Sequence, residues 1–205
     1  MENKMELHWE NVYNKKNENE VSWYQKVPNI SLEHIKSLNL NLNSKIIDIG
    51  AGESRLVDNL LDLGFKNIDV LDISKKSIEK AQNRLGLKSS MINWIVSDIN
   101  DFKPKKKYDL WHDRAAFHFL KDPIQISNYV DLANSSLNNN GKIVLGTFSI
   151  DGPLKCSGLE VSRYNEKSVR DVFDKHFTLL NHQLSNHPTP FNTTQEFLFS
   201  VLSKK

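Results

Sequence analysis

Four aspartates stand where apolar runs end: Asp48 in KIIDIG, Asp72 in NIDVLDI, Asp98 in MINWIVSDI and Asp113 in YDLWHD. Just after the first comes Gly50-Ala51-Gly52. Glycines at the turn from a strand into a helix let backbone approach a ligand closely. Asp72 follows the glycines by about 20 residues, where nucleotide-binding folds hold a ribose diol. Asp48 would repel a phosphate but tolerates a ligand carrying positive charge. The second cluster is WHDRAAFHFL (111–120), with His112, Asp113, Arg114 and His118 among aromatics. Arg114 is always charged and suits an anion, either thiolate or carboxylate. His118 or His112 is available as a base. Singly, each has a plainer role open to it. Asp113 as an N-cap is worth about 1 kcal/mol, Arg114 could pair with a rim acid, and His118 could be a hydrogen-bonded core histidine. Together they mark the wall of a substrate site.

The elements that must position these residues follow from periodicity. KIIDIG (45–50) has the β-branched content of a buried strand. Further strands are expected at 67–73, 91–99, 108–113 and 138–148, the last preceded by an Asn-rich turn. Residues 54–64 carry apolar groups at helical spacing and close on Gly64. Residues 74–86 form a second helix between Ser74 as N-cap and Gly86 as stop. Helices also follow Pro123 (123–137) and span 165–175. FTLLNHQL (177–184) and QEFLFSVLS (195–203) close the chain as a hairpin around Pro188 and Pro190. Alternating strand and helix gives an α/β fold, a mostly parallel, doubly wound sheet covered on both faces. Ligands then bind outside the carboxyl ends of the strands, which brings all four aspartates to one rim. A helix starting at Asp113 would put Arg114 and His118 on one face, i and i+4, as a small positive wall.

Composition narrows the function classes. Lys and Arg number 27 against 25 Asp and Glu in 205 residues, which gives no reason to expect nucleic acid as a partner. One cysteine, Cys156, excludes an intrachain disulfide and suits a reducing cytoplasm. No apolar leader or membrane-length segment is visible, and no His/Cys spacing suggests a metal. A dinucleotide fingerprint would place a third glycine at Arg55; a bulky residue there argues against NAD.

In combination, IIDIGAGES (46–54), VLDIS (70–74), VSDI (96–99), YDLWHDRAAFHFL (108–120) and NNNGKIVLGTF (138–148) resemble the class I S-adenosylmethionine-dependent methyltransferases. Ser54 stands where that family often has a third glycine. The resemblance covers about 45–205 and implies a seven-stranded, Rossmann-like sheet ordered 3-2-1-4-5-7-6 with the last strand antiparallel. It implies that Gly50 and Gly52 pass the methionine part of the cofactor. Asp72, with Ile73 beside it, would take the ribose hydroxyls. Asp98 and Ile99 would read the adenine, and Asp48 would act through the ammonium or a water. The segment after the fourth strand lacks the Asn/Asp-Pro-Pro of amino-group methyltransferases. It is more similar to thiopurine methyltransferase and to a group of small bacterial methyltransferases that also carry GPLKCSGLEVSRY (152–164).

One methyltransferase domain is expected over 1–205. It comprises a helical lid (1–35), a cofactor core (45–148), a substrate-side loop (149–164) and a closing helix and hairpin (165–205). In the lid, Trp9 and Tyr13 lie one helical turn apart, with Trp23 and Tyr24 beyond a polar stretch, KKNENE, read as a flexible loop. Either the lid's aromatics pack the core, or Trp9 and its neighbours exclude water and stack near the sulfonium by cation–π attraction. Cys156 suits a substrate wall and not a nucleophile, because methyl transfer needs no covalent enzyme intermediate. The expected acceptor is a small molecule with a thiol or other soft nucleophile, methylated by in-line displacement. A protein lysine methyltransferase and a silent cofactor-binding module are the alternatives. No membrane partner is expected, and the assembly is a monomer or weak homodimer.

Overall fold

The computed structural model describes residues 4–205; residues 1–3 of the expected lid lie outside the described residues. Seven strands form one sheet: β1 Lys45–Ile49, β2 Asn67–Asp72, β3 Ile92–Val96, β4 Tyr108–Arg114, β5 Leu137–Phe148, β6 Phe177–Pro188 and β7 Thr194–Lys204. Their order is 3-2-1-4-5-7-6. The first five pair in parallel, and β7 runs antiparallel to both β5 and β6. This is the order the methyltransferase resemblance implies.

Among the described residues six α-helices accompany the sheet: α1 Lys4–Lys15, α2 Asn29–Ser37, α3 Leu56–Asp62, α4 Lys75–Leu85, α5 Pro123–Ser136 and α6 Glu166–Phe173. Capping residues set several starts. Ser74 accepts from the Ser77 amide at α4, Asp122 from Ile124 at α5, and Asn165 from Ser168 at α6. Side chains alternate across each strand, so neighbours in sequence feed two separate cores. Ile46, Ile68, Val70 and Leu110 pack with Leu32, Ile35, Leu56, Leu60 and Ile78 from α2, α3 and α4. Ile47, Ile49, Trp111 and Leu145 pack with Tyr129, Ala133, Val169 and Phe173 from α5 and α6.

Two segments differ from their expected form. KKNENE contains a 3-10 turn, Glu18–Glu20, capped by Asn17 and tied down by an Arg55–Glu18 ion pair of 2.6 Å. The region after β4 is not an α-helix. The strand continues through Arg114, Ala115 takes φ +67°, and one 3-10 turn follows at Phe117–Phe119. Arg114 and His118 therefore do not share a helix face. Asp113 explains the sharp turn. Its Oδ1 accepts from the Ala116 and Phe117 amides at 3.0 and 3.1 Å, which lie beyond the last β4–β5 pair and so need a partner outside the ladder. No helix among the described residues is long and apolar enough to cross a membrane.

Candidate active site

A cavity of about 820 Å³ opens at the carboxyl ends of β1–β4, toward the upper end of the roughly 300–1,000 Å³ typical of small-molecule sites. Asp48, Gly50, Asp72, Ile73, Asp98, Ile99, His112, Asp113, Arg114 and Trp9 all border it. The sheet brings all but Trp9 together because each lies at or near a strand end, and α1 adds Trp9 from above. Gly52 is beside the cavity, behind Tyr13.

The glycine turn is shaped by its neighbours. Gly50 and Gly52 both take φ +57°, a conformation that L side chains rarely adopt. A Cβ on Gly50 would lie 2.3 Å from Ala116 Cβ, and one on Gly52 would lie 2.1 Å from the Tyr13 hydroxyl. So the loop is packed tightly on one side by the turn after β4 and on the other by the lid.

Asp72 is the anchor of this half. Gly52 N donates to its Oδ2 at 2.7 Å, and Ser74 N to its Oδ1 at 2.8 Å. Each carboxylate oxygen has two acceptor sites, so acceptor capacity remains for a hydroxyl of a bound ligand. Burial pushes its carboxyl up to about 6, against the opposing pull of the Ser74 and Gly52 amides and the Ser77 side chain. Asp98 accepts from the amide and side chain of Asn100 at 2.9 and 2.8 Å, which fixes the loop after β3. Asp48 Oδ1 sits 2.6 Å from His112 Nδ1, while its Oδ2 is buried without a partner among the described residues.

Around β4 the picture divides. Asp113 Oδ2 accepts from the Tyr129 hydroxyl at 2.7 Å, and that hydroxyl in turn accepts from Trp111 Nε1 at 2.8 Å. Burial raises Asp113 to about 6, but its oxygens are occupied by the turn. Arg114 stacks 4.7 Å over the Phe197 ring and donates through Nη1 to the Trp23 carbonyl at 3.0 Å. Its Nε and Nη2 are buried with no hydrogen-bond partner among the described residues. Burial lowers it to about 10, so it stays charged at neutral pH. His118 does not border the cavity. It is 0% exposed, lies between Phe119 and Phe148, and its Nδ1 accepts from Phe148 N at 3.3 Å. Burial, with Arg114 nearby, drives it down to about 3. It is thus a neutral core imidazole, and the positive wall expected from Arg114 and His118 does not form.

The lid is α1 and the strap that follows. Trp9 meets Trp23 and Phe119 edge-on at 5.8 and 5.2 Å, and all three border the cavity with Tyr13. These aromatics therefore pack against one another and at the same time line the cavity. Glu10 fastens α1 to the start of α4 by accepting from Ser74 Oγ and Lys76 N at 3.1 Å each. The strap is held from the far side of the sheet, where His187 Nε2 donates to Ser22 O at 2.8 Å and Gln195 to Ser22 Oγ at 3.2 Å. The substrate-side loop folds as a two-residue ladder, Lys155–Cys156 on Leu159–Glu160. It brings Cys156 to the cavity wall, where burial lifts the thiol to about 12.

Sequence reasoning missed Ser31, Glu10, Tyr129, and the strained Ala115. Their roles come from residues 16 to 81 positions away, beyond any local pattern. Ala115 carries no signal, since nothing in an alanine announces a left-handed backbone.

Acid groups and glycines at the ends of β1–β3, under a lid on a sheet of this order, define an S-adenosylmethionine-dependent methyltransferase. The chain belongs to the AdoMet dependent proline di-methyltransferase family, which it matches over residues 24–177. It is similar to malonyl-[acyl-carrier protein] O-methyltransferase 1 of Ilyobacter polytropus, at 36% identity over 105 residues, covering 50% of this chain and 37% of that protein. It is also similar to N-terminal Xaa-Pro-Lys N-methyltransferase 1 of Danio rerio, at 28% identity over 102 residues, 48% of this chain and 45% of that one. The matches thus span less than half the length of these curated relatives. In fold it resembles the N-methyltransferase NodS of Bradyrhizobium japonicum, solved with S-adenosyl-L-homocysteine. That likeness has a TM-score of 0.71 at 17% identity and covers 96% of this chain and 98% of that one.

Proposed function

We propose that this enzyme, acting as a single methyltransferase domain, methylates a small acceptor that is an anion when it reacts, with a thiolate preferred and a carboxylate next. One observation carries the reading: Arg114 borders the cavity with two N–H-bearing nitrogens buried and unpaired among the described residues. Burying a guanidinium without an acid partner is costly, and an anionic ligand would relieve that cost.

The cofactor-side roles follow the donor set. Asp72 would take the ribose hydroxyls on its remaining acceptor capacity, with Ile73 alongside. Asp98 and Ile99 would face the adenine, Gly50 and Gly52 the methionine part, Asp48 the ammonium, and Trp9 the sulfonium. The bound cofactor supplies an electrophilic methyl group on a sulfonium. Arg114 then holds the acceptor's anion in line with that methyl, and the Trp9–Trp23–Phe119 cluster excludes water. A hydroxyl or ammonium acceptor would need a base. The acids and imidazoles around β4 are already engaged: Asp113 by its turn, His112 by Asp48 and Ser31, and His118 in the core. A thiol of ordinary pKa about 8.5 ionises more readily beside a fixed positive charge, and a carboxylate needs no base. The name of the Ilyobacter polytropus relative, an O-methyltransferase, agrees with an oxygen anion as the second choice.

The second reading is methylation of a protein amine, at an N-terminus or a lysine. The family's description and the Danio rerio relative favour it. Against it, an ammonium docked at β4 would meet Arg114. The test is release of S-adenosylhomocysteine from S-adenosylmethionine with small thiols, carboxylates, phenols, amines and an Xaa-Pro-Lys peptide. Turnover of thiols or carboxylates supports the reading. Turnover confined to amines or the peptide overturns it.

A further inference from the structure

Behind the cofactor-facing carboxylate runs a buried chain of three polar side chains that the acceptor chemistry does not use. Asp48 on β1 and His112 on β4 are register partners, so their side chains leave the sheet side by side on one face. His112 Nδ1 lies 2.6 Å from Asp48 Oδ1, and its Nε2 lies 2.9 Å from the hydroxyl of Ser31 on α2. Asp48, His112 and Ser31 are 2%, 2% and 1% exposed. In a neutral imidazole, Nδ1–H donates to the carboxylate and Nε2 accepts from the serine hydroxyl. Both nitrogens are then used, which leaves His112 no site for an acceptor's proton.

Fixing one oxygen of Asp48 directs the other. Oδ2 is buried without a donor among the described residues, and both Asp48 and His112 border the cavity. A buried carboxylate oxygen lacking a donor is destabilising, and the site is open to a cation. His112 engages Asp48 through Oδ1 alone, which leaves Oδ2 for a ligand.

We infer that His112 and Ser31 are positioning residues that hold the Asp48 carboxylate with Oδ2 toward the ammonium of S-adenosylmethionine. The inference rests on the proposed reading that Asp48 faces the methionine part of the cofactor. It also links cofactor binding to α2, whose preceding Pro28 borders the same cavity.

The test is calorimetric binding of S-adenosylhomocysteine and of methylthioadenosine, which keeps the adenosine and thioether but lacks the amino-acid part. Asp48→Asn tests the underlying reading and should weaken S-adenosylhomocysteine far more than methylthioadenosine. His112→Leu should weaken S-adenosylhomocysteine about ten- to a hundredfold and methylthioadenosine less than about twofold. His112→Asn, whose amide nitrogen reaches the Nδ1 position, should recover most of that loss. Ser31→Ala should cost about threefold, again only with the amino-acid part present. Equal weakening of both ligands in His112→Leu, or weakening of neither, overturns the positioning role. If His112→Leu does not fold, Ser31→Ala decides: an unchanged ratio of the two affinities overturns it. An unchanged ratio in Asp48→Asn instead overturns the reading of the ammonium site, whatever His112 does.

Discussion

On the β2 side of the cavity, Asp72 already receives Gly52 N and Ser74 N, and Asp98 receives Asn100. On the β4 side, Arg114 leaves Nε and Nη2 with no partner among the described residues. The first arrangement is assembled within the protein by the turns after β1, β2 and β3, so it exists before any ligand arrives. The second is completed only when something else supplies an acceptor. The comparison teaches where binding energy and selectivity should separate. Changes on the β2 side should move cofactor affinity for every acceptor. Changes on the β4 side should move turnover of particular acceptors.

The largest effect should come from Asp72→Ala. Two charge-assisted hydrogen bonds to a ligand would be lost, each worth about 1.5–3 kcal/mol, and the Gly52 and Ser74 amides would lose their acceptor. Cofactor affinity should fall at least a hundredfold or so in a calorimetric titration. Affinity equal to wild type would remove Asp72 from the site. The same group gives a pH signature. Its folded pKa of about 6 lies above the ordinary carboxylate value, so the folded protein holds a proton that the unfolded chain has released. That proton's contribution to stability is present at low pH and is lost as pH rises through about 6. Hydroxyl donors need the carboxylate, so cofactor affinity should run the other way and weaken as pH falls below about 6. Asp72→Asn should flatten that profile. Asp113, also raised to about 6, would supply any slope that persists.

Arg114→Met comes next and sharpens the comparison from the other side. Removing the charge that meets a buried anion should lower kcat/KM for the acceptor about a hundredfold. Cofactor affinity should stay within about threefold, the remainder coming from the lost hold on the Trp23 carbonyl. Arg114→Lys should recover less than half of the loss in free energy, because an ammonium cannot reproduce the planar fork. Loss of cofactor binding in Arg114→Met would mean that the two halves are not separable.

Legibility in the sequence divides along the same line. Asp48, Asp72 and Asp98 announce themselves because each closes an apolar run, and the βα rule puts such ends on one rim. The sheet order came from resemblance, since strand pairing at long range leaves no local trace. The expected helical lid (1–35) takes in most of α2 without marking it as a separate helix, and the turn after β4 reads as a helix. Asp113 followed by Arg-Ala-Ala suits a capped helix locally, but the left-handed Ala115 and the Tyr129 hydroxyl 16 positions away impose a single 3-10 turn. His118 shows the same limit. Its neighbours in sequence are aromatic whether it faces a ligand or the core, and only the packing of Phe148 settles which.

Glu10→Ala should have a smaller effect and tests whether the lid belongs to the cofactor half. Its carboxylate joins α1 to the first turn of α4 through Lys76 N and Ser74 Oγ, where an acid at a helix start is worth about 1 kcal/mol. Stopped-flow dissociation of S-adenosylhomocysteine should quicken about fivefold, with maximal turnover falling less than twofold or so. An unchanged dissociation rate would mean that α1 rests on the cavity without gating it.

His118→Phe should give the smallest effect on chemistry, and the reason separates packing from catalysis. The imidazole is enclosed between Phe119 and Phe148, and burial holds it near 3. It therefore carries no charge at working pH, and the cavity does not reach it. A phenyl ring removes the acceptor for Phe148 N, so stability should drop by about 1–3 kcal/mol in urea unfolding. Turnover per folded molecule should stay within about twofold, and its pH profile should not shift. A large loss of turnover with stability intact would return His118 to the acceptor site. In that case the turn at Ala115 would have to open in the working enzyme and swing the imidazole past Phe119 into the cavity.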